Sequence, residues 1–255
     1  MIKIENVEVM GWKAAIRGLR NPMNSWAKSD SYSCGTGGDC DFCIDYENCP
    51  FDHDSKKMII GQNDLDLMKR LRSAGTDHGK FMRMITVYLD IIAPLYWWKE
   101  FDTYKVGTVA NSCSTMHKIS DKAFTLEDFS CEHLLSFMSD GDERKIPFVD
   151  VSLYDEDDIT FSPKGVLECI IIPMLNCCRD HFLESKDKKY WWQMIQLLPT
   201  SYNQRRTIML NYEVLANMYK SRKNHKLDEW VEFCKWIETL PYSELITGEN
   251  KNDAS

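Results

Sequence analysis

The residues best suited to chemistry lie near the middle of the chain, between Trp97 and His117. This stretch combines aromatic rings, two lysines, one glycine and a series of hydroxyl groups. Hydroxyls and lysines bind phosphate oxygens, and aromatic rings stack on a base. His117 adds an imidazole group, which suits either a catalytic or a structural histidine. We therefore expect a polar, anionic ligand here, contacted by Trp98, Tyr104, Lys105, Thr108, Ser112, Ser114, Thr115 and His117.

Cations from two other segments are candidates for the same pocket. Arg17 and Arg20 lie beside several serines, where Gly18 and Asn21-Pro22 interrupt a short helical pattern. Such a segment suits a phosphate or carboxylate, although a solvated loop explains it equally well. The C-terminal third adds further polar candidates, namely Arg205, Arg206, Asn211 and Arg222.

Four cysteines between residues 34 and 49 are candidate metal ligands. Cys34, Cys40, Cys43 and Cys49 follow the spacing C-x5-C-x2-C-x5-C. Four thiolates can close a tetrahedral zinc site, but the usual pattern pairs two short knuckles and only one is present. A surface insertion with free thiols is the alternative. The other six cysteines stand in apolar contexts and are expected to be small buried hydrophobic residues.

Composition narrows the class of protein. With 44% hydrophobic residues, the 255-residue chain can bury a sizeable core, and its net charge of −8 argues against binding to duplex nucleic acid. No apolar run approaches the length of a membrane span, and the N-terminus lacks an apolar signal core. We therefore expect a cytoplasmic protein with mostly reduced thiols and no membrane partner.

The elements that must position these residues follow from periodicity. Apolar and polar residues alternate in 2–9, and β-branched and aromatic residues dominate 81–92, which ends before Pro94; both segments are predicted strands. Asn63 is expected to cap the helix that follows it. The predicted helices are 64–74, 165–184 with a kink at Pro173, 190–198, 205–222 and 227–239. The prediction is one α+β domain over 1–247, with a mixed sheet, a helical C-terminal third, a cysteine-rich insertion at 32–60 and a disordered tail at 248–255.

Two of these segments together resemble the flavin-dependent (alternative) thymidylate synthase family, the ThyX type. The first runs from a helix through a glycine turn and a strand to Ala93-Pro94 and the polar stretch. The second matches the family's Leu-Pro, arginine, asparagine and arginine at Leu198-Pro199, Arg205, Asn211 and Arg222. The resemblance implies the ThyX-like fold, a homotetramer, and a nucleotide-sized pocket between subunits.

The family's central motif is altered in this chain. Its Arg-His-Arg corresponds to Thr103-Tyr104-Lys105, and its Asn-Glu-x-Ser-x-Arg-Tyr corresponds to residues 111–117. The arginines and the glutamate of that motif are absent, and a lysine cannot reproduce a bidentate guanidinium contact. The resemblance implies FAD as a cofactor, while these replacements weigh against it.

Three functions remain open. The favoured one is a nucleotide-binding protein that holds a nucleotide or a nucleotide-derived ligand without thymidylate synthesis, because the central stretch stays polar and rich in donors. The second is flavin-dependent methyl or hydroxymethyl transfer to a pyrimidine deoxynucleotide. The third is a metal-stabilised interaction protein that uses the cysteine-rich insertion. The sequence assigns no catalytic residue.

Overall fold

Strands form where apolar and polar residues alternate, as they do along Thr86–Pro94. A computed structural model of the chain describes residues 1–33, 58–137, 146–152 and 159–248. Four strands make one sheet, and two short pairs are antiparallel. The strands are β1 (Lys3–Met10), β2 (Tyr32–Ser33), β3 (Met58–Ile59), β4 (Thr86–Pro94), β5 (Val109–Ser112), β6 (Val149–Val151), β7 (Ile159–Phe161) and β8 (Asn203–Asn211). The order in the large sheet is β1-β4-β8-β5, and the pairs are β2-β3 and β6-β7.

Helices dominate the later part of the chain and together with the sheets confirm the predicted α+β class. They are α1 (Trp12–Arg20), α2 (Gln62–Ser73), α3 (Leu95–Phe101), α4 (Thr115–Lys118), α5 (Pro163–Val166), α6 (Ile172–Ser185), α7 (Lys188–Leu197), α8 (Tyr212–Arg222), α9 (Asp228–Glu238) and α10 (Glu244–Thr247). Within the described ranges, no helix is both long enough and apolar enough to cross a membrane.

The chain forms two compact units. Unit 1 comprises Met1–Glu5, Asp90–Thr103 and Ala110–Thr207, and unit 2 comprises the remaining segments 6–89, 104–109 and 208–255. The core of unit 1 includes Phe124, Leu175 and Met194. In unit 2, Trp12 makes edge-on contacts with two tyrosine rings at 5.2 Å each, and Trp230 is fully buried.

The predicted helix at 205–222 is wrong over its first half. Residues 203–211 form strand β8, and α8 begins only at Tyr212. Ile208 and Leu210 are buried while Thr207 is exposed, which is the period-two pattern of a strand. Asn211 then begins the helix, because its side-chain oxygen accepts a hydrogen bond from Val214 N at 3.0 Å.

Three other local predictions need correction. The predicted strand 81–92 begins with a 3₁₀ helix, Gly79–Met84, and β4 continues through Pro94. Asn63 lies inside α2, and Asp30 accepts hydrogen bonds from the backbone N–H groups of Asn63 and Asp64 instead. The expected kink near Pro173 takes the form of a π-helical turn, Leu167–Ile171, where proline removes a backbone donor.

Candidate ligand-binding site

Arg222, from the C-terminal third, contacts Tyr104, from the polar stretch between Trp97 and His117. In unit 2, its Nε donates to the Tyr104 hydroxyl at 3.0 Å, and its guanidinium lies 4.8 Å from the ring centre of Trp230. Its Nη1 lies 2.9 Å from His225 Nε2. Tyr104 itself packs on Trp230, with ring centres 6.1 Å apart. The result is a guanidinium held by aromatic rings, where cation–π attraction supports it.

The turn that carries Tyr104 closes against the start of α8. Thr108 Oγ1 donates to the backbone oxygen of Tyr104. Gly107 has φ +78°, and a Cβ placed there would lie 2.9 Å from Asn211 Nδ2 and 3.0 Å from Val214 Cγ2. Asn211 is buried and its oxygen caps α8. Asn211 therefore has a structural role, and glycine at 107 is required by both conformation and space.

Substituting Gly107 by alanine is expected to destabilise the protein by about 2 kcal/mol, because the new methyl group displaces the Asn211 cap as well as straining a positive φ. Urea unfolding measures this change. Gly75→Ala is the matched control, since Gly75 has φ +108° but open space around its Cβ position. Equal losses for the two variants would show that the contact with Asn211 contributes nothing.

Arg205 and Arg206 lie in unit 1 and are already paired with acids. Arg205 Nη2 lies 2.7 Å from Asp90 and 3.2 Å from Glu5, and the hydrogen bond to Asp90 raises its pKa. Arg206 Nη1 donates to Asp102 at 2.7 Å. Because neighbouring residues of a strand point to opposite faces, these two arginines cannot line one side of β8 together.

Trp98 is a core residue rather than an exposed stacking surface. It is 0% exposed, and its Nε1 donates to the backbone oxygen of Gln204 at 2.9 Å. The Arg206 guanidinium lies 4.3 Å from its ring centre. The sequence predicted that Trp98 contacts a ligand, but its burial beside β8 leaves no ring face open.

The remaining predicted contacts in unit 1 surround the short helix α4. Ser114 caps it by accepting a hydrogen bond from His117 N at 3.1 Å, which is a structural use of that hydroxyl. Ser112 and His117 are exposed, and Thr115 is half-buried. These residues stay candidates for contact with a ligand.

Of the two predicted cations in the N-terminal segment, one is exposed and one is buried. Arg17 is exposed on α1. Arg20 is only 5% exposed, and its Nε donates to Asp64 Oδ1 at 2.6 Å. Two serine hydroxyls, Ser29 and Ser31, donate to the other Asp64 oxygen at 2.6 Å each. Arg20 therefore belongs to a buried network that ties α1 to α2 in unit 2.

The predictions for the ten cysteines have different outcomes. Cys34, Cys40, Cys43 and Cys49 lie outside the described residues, and within the described part no cluster of three or more histidine, cysteine or acidic side chains could hold a metal ion. Cys178 and Cys234 are buried as predicted. The prediction of burial is wrong for Cys113, Cys169 and Cys177, which are exposed, and Cys131 is half-buried.

A cleft of about 420 Å³ in unit 2 is the feature that sequence reasoning missed. It lies between the end of α2, the turn after it, α8 and α10. Its size is in the range of small-molecule sites. The lining residues are Arg72, Ser73, Gly75, Thr76, Gly79, Met82, Glu213, Ala216, Asn217, Tyr219, Lys220, Lys223, Ile246 and Thr247.

Two charged side chains of this cleft are hydrogen-bonded to other residues of the protein, and a third has no acidic partner among the described residues. Arg72 donates to the backbone oxygens of Leu245 and Ile246 at 2.6 and 2.8 Å, and burial lowers its pKa. Glu213 accepts from Arg83 Nε at 2.6 Å. Lys220 is exposed and has no acidic partner among the described residues. Cationic character therefore prevails at this rim of the cleft.

The spacing of residues on α8 was the available signal for the cleft. Glu213, Asn217 and Lys220 are four and three residues apart, which places them on one helix face. Asn211 and Arg222 lie on roughly the opposite side at 100° per residue. In this segment, the ligand contacts predicted from the sequence lie on that second side, and none lies on the first.

Solved structures with the same fold include two complexes with FAD and dUMP and one complex with a brominated dUMP. The flavin-dependent thymidylate synthase ThyX from Helicobacter pylori, complexed with FAD and dUMP, matches with a TM-score of 0.58 and 14% identity, covering 96% of this chain and 98% of that one. A second structure of ThyX from that organism with FAD and dUMP gives the same score and identity over 97% and 98%. A UMP/dUMP methylase, PolB from Streptomyces cacaoi, bound with 5-Br dUMP, matches with a TM-score of 0.52 and 12% identity over 97% and 95%.

These identities are low, so the likeness establishes the shared fold and confirms the predicted ThyX-like architecture. No protein-family model matches the sequence, and no curated protein matches it.

Proposed function

We propose that this chain, which has the fold of the ThyX-type flavin-dependent thymidylate synthases, binds a nucleotide or a nucleotide-derived anion in the cleft of unit 2. The observation that carries the proposal is the composition of that cleft. Lys220 and Lys223 supply positive charge at its rim, while Met82, Ala216 and Ile246 supply apolar surface. A phosphate with an organic body needs this combination.

Each part of a nucleotide has a counterpart in the cleft. The two lysines neutralise the phosphate, and Ser73, Thr76 and Asn217 carry groups that can hydrogen-bond to a sugar or a base. Tyr219 is buried, and the ammonium nitrogen of Lys223 lies 5.7 Å from the centre of its ring, which places that charge at the cleft wall. The ligand is held and released without a chemical step.

The residues at the altered motif do not fit the flavin contacts that the fold family implies. Tyr104 has its hydroxyl engaged by Arg222 and its ring packed on Trp230. Lys105 is exposed and offers one point charge instead of two guanidinium groups. FAD therefore has no part in the proposed function, and flavin-dependent methyl transfer to a pyrimidine deoxynucleotide is the alternative.

The group around Arg222 is a second candidate for anion binding in unit 2. Lys105, Thr108 and the edge of Arg222 come from the stretches that the sequence selected, and Lys105 has no acidic partner among the described residues. Arg17, also in unit 2, is an exposed cation of the same kind. Substitution of Lys105 separates this candidate from the cleft.

Equilibrium titration with dUMP and with deoxyuridine tests the proposed function. We expect dUMP to bind at least tenfold more tightly, because a charge-assisted contact to phosphate contributes about 1.5–3 kcal/mol. Calorimetry at constant ionic strength gives both affinities. Equal affinity for the two ligands would show that the phosphate does not contribute to binding. If neither ligand binds, the proposed nucleotide binding is wrong.

The assembly state is proposed on the resemblance alone. A homotetramer is expected, and the mass of the purified protein in solution tests it. The third function, a metal-stabilised interaction protein, depends on Cys34, Cys40, Cys43 and Cys49, which lie outside the described residues. Bound zinc that is lost in a Cys40→Ala, Cys43→Ala variant would support it.

A further inference from the structure

The hairpin of α6 and α7 in unit 1 carries one exposed tryptophan, Trp192, beside the half-buried rings of Tyr190 and Trp191. Trp192 is 43% exposed, and its ring meets Trp191 edge-on at 4.8 Å. Trp191 Nε1 donates to the backbone oxygen of Met116 at 3.1 Å. A ring that is already held by its neighbour loses little freedom when a ligand stacks on it.

A second pair of rings and two lysines extend this surface. His181 and Tyr190 are stacked, with ring centres 5.0 Å apart and planes 21° apart. Lys189 Nζ lies 4.8 Å from the Tyr190 ring centre. Lys188 Nζ lies 5.9 and 5.5 Å from the rings of Trp191 and Trp192. Lys188 lies one helical turn before Trp192, so that lysine and that exposed ring share one face of α7.

We propose that this lysine–aromatic patch, formed by His181, Lys188, Lys189, Tyr190, Trp191 and Trp192, binds single-stranded nucleic acid. Unpaired bases stack on exposed rings, and the phosphates between them meet the lysines. Lys188 has no acidic partner among the described residues, whereas Lys189 pairs with Asp187 at 3.1 Å. A duplex hides its base faces and cannot use the rings.

A membrane surface fits the same patch less well. Lysine and tryptophan also occur together at bilayer interfaces, but there the helix must present a continuous apolar face. On α7, Met194 is buried in the core of unit 1, and the exposed side carries Gln193 and Gln196 between Trp192 and Leu197, so its apolar surface is interrupted. These amides would lose hydration on insertion, so the observations favour bases over lipid.

Fluorescence anisotropy of labelled oligo-dT and oligo-rU tests the proposal with the full chain. Trp192→Ala is expected to weaken binding about tenfold, and Trp192→Phe to retain most of it, because phenylalanine still stacks. Lys188→Glu is expected to weaken binding and to reduce the steepness of the salt dependence by about 0.7 in log–log slope. A preference between the two oligomers identifies DNA or RNA as the ligand.

Matched controls are available in unit 2. Trp26 is 49% exposed and Lys13 is exposed, so Trp26→Ala and Lys13→Glu repeat the same chemical changes elsewhere. The proposal predicts unchanged affinity for both. It is overturned if neither oligomer binds, or if the controls lose as much affinity as the patch variants. Binding to phosphatidylserine vesicles that depends on Trp192, without binding to oligomers, would overturn it in favour of a membrane.

Discussion

Replacing Asp64 by asparagine is expected to lower the free energy of unfolding by about 3–5 kcal/mol. Asp64 is 0% exposed and accepts hydrogen bonds from Arg20, Ser29 and Ser31. Asparagine leaves the buried guanidinium of Arg20 without a counter-charge. Removing one partner of a buried ion pair destabilises a protein more than replacing both partners by apolar residues. Chemical unfolding at neutral pH measures the loss.

The same variant changes how stability depends on pH. Burial by itself raises the pKa of Asp64, but the hydrogen bonds from Ser29, Ser31 and Arg20 outweigh it and lower the pKa below the ordinary value. A lowered pKa in the folded state contributes stability above the unfolded value of about 3.9, and this contribution is lost as pH falls through the folded value. The gap between wild type and Asp64→Asn should therefore narrow below about pH 4.

Asp66→Asn is the matched control on the same helix. Asp66 is exposed and accepts one hydrogen bond from Gln62 Nε2 at 2.8 Å, so its loss should change stability by less than about 0.5 kcal/mol. A double change, Arg20→Met with Asp64→Leu, should recover part of the stability because no charge is left buried. If Asp64→Asn lowers the free energy of unfolding no more than Asp66→Asn does, the hydrogen bonds of Asp64 with Arg20, Ser29 and Ser31 do not stabilise the fold.

Reversing both rim lysines, Lys220→Glu with Lys223→Glu, is expected to weaken dUMP binding at least a hundredfold. Each lysine–phosphate contact contributes about 1.5–3 kcal/mol, and the new carboxylates add repulsion. Both side chains are exposed, so the melting temperature should change little. Calorimetric titration at fixed salt gives the affinity, and a melting curve confirms the fold.

Lys105→Glu is the control for that experiment. It makes the same chemical change next to Tyr104, which contacts Arg222, and should leave dUMP affinity within about twofold because Lys105 is not among the residues that line the cleft. The reverse pattern, with affinity lost only in Lys105→Glu, would move the ligand to the group around Arg222.

Sequence periodicity predicted the helices whose inner faces are strongly apolar. The pattern Trp230, Cys234 and Ile237 predicted α9, and all three are buried. Periodicity failed at β8 because Ile208 and Tyr212 are four residues apart, as in a helix, although a strand ends between them at Asn211. The competing period-two signal spans only a few residues there.

The candidate site was predicted in part. The sequence assigned Tyr104 and Arg222 to one pocket, and in the structure the Arg222 guanidinium donates a hydrogen bond to the Tyr104 hydroxyl. It could not show that Arg205 and Arg206 are held by Asp90 and Asp102, because those acids come from other elements. The cleft was missed for the same reason, since Arg72 and Lys223 meet only through the packing of α2, α8 and α10.

The most direct test of nucleotide binding is native mass spectrometry of the full chain after incubation with dUMP and FAD together. We expect one dUMP to be retained per chain, no FAD to be retained, and dUMP to be lost in the Lys220→Glu, Lys223→Glu variant. Retention of FAD with dUMP would contradict it and favour the flavin-dependent transferase. A chain that carries neither ligand would contradict nucleotide binding itself.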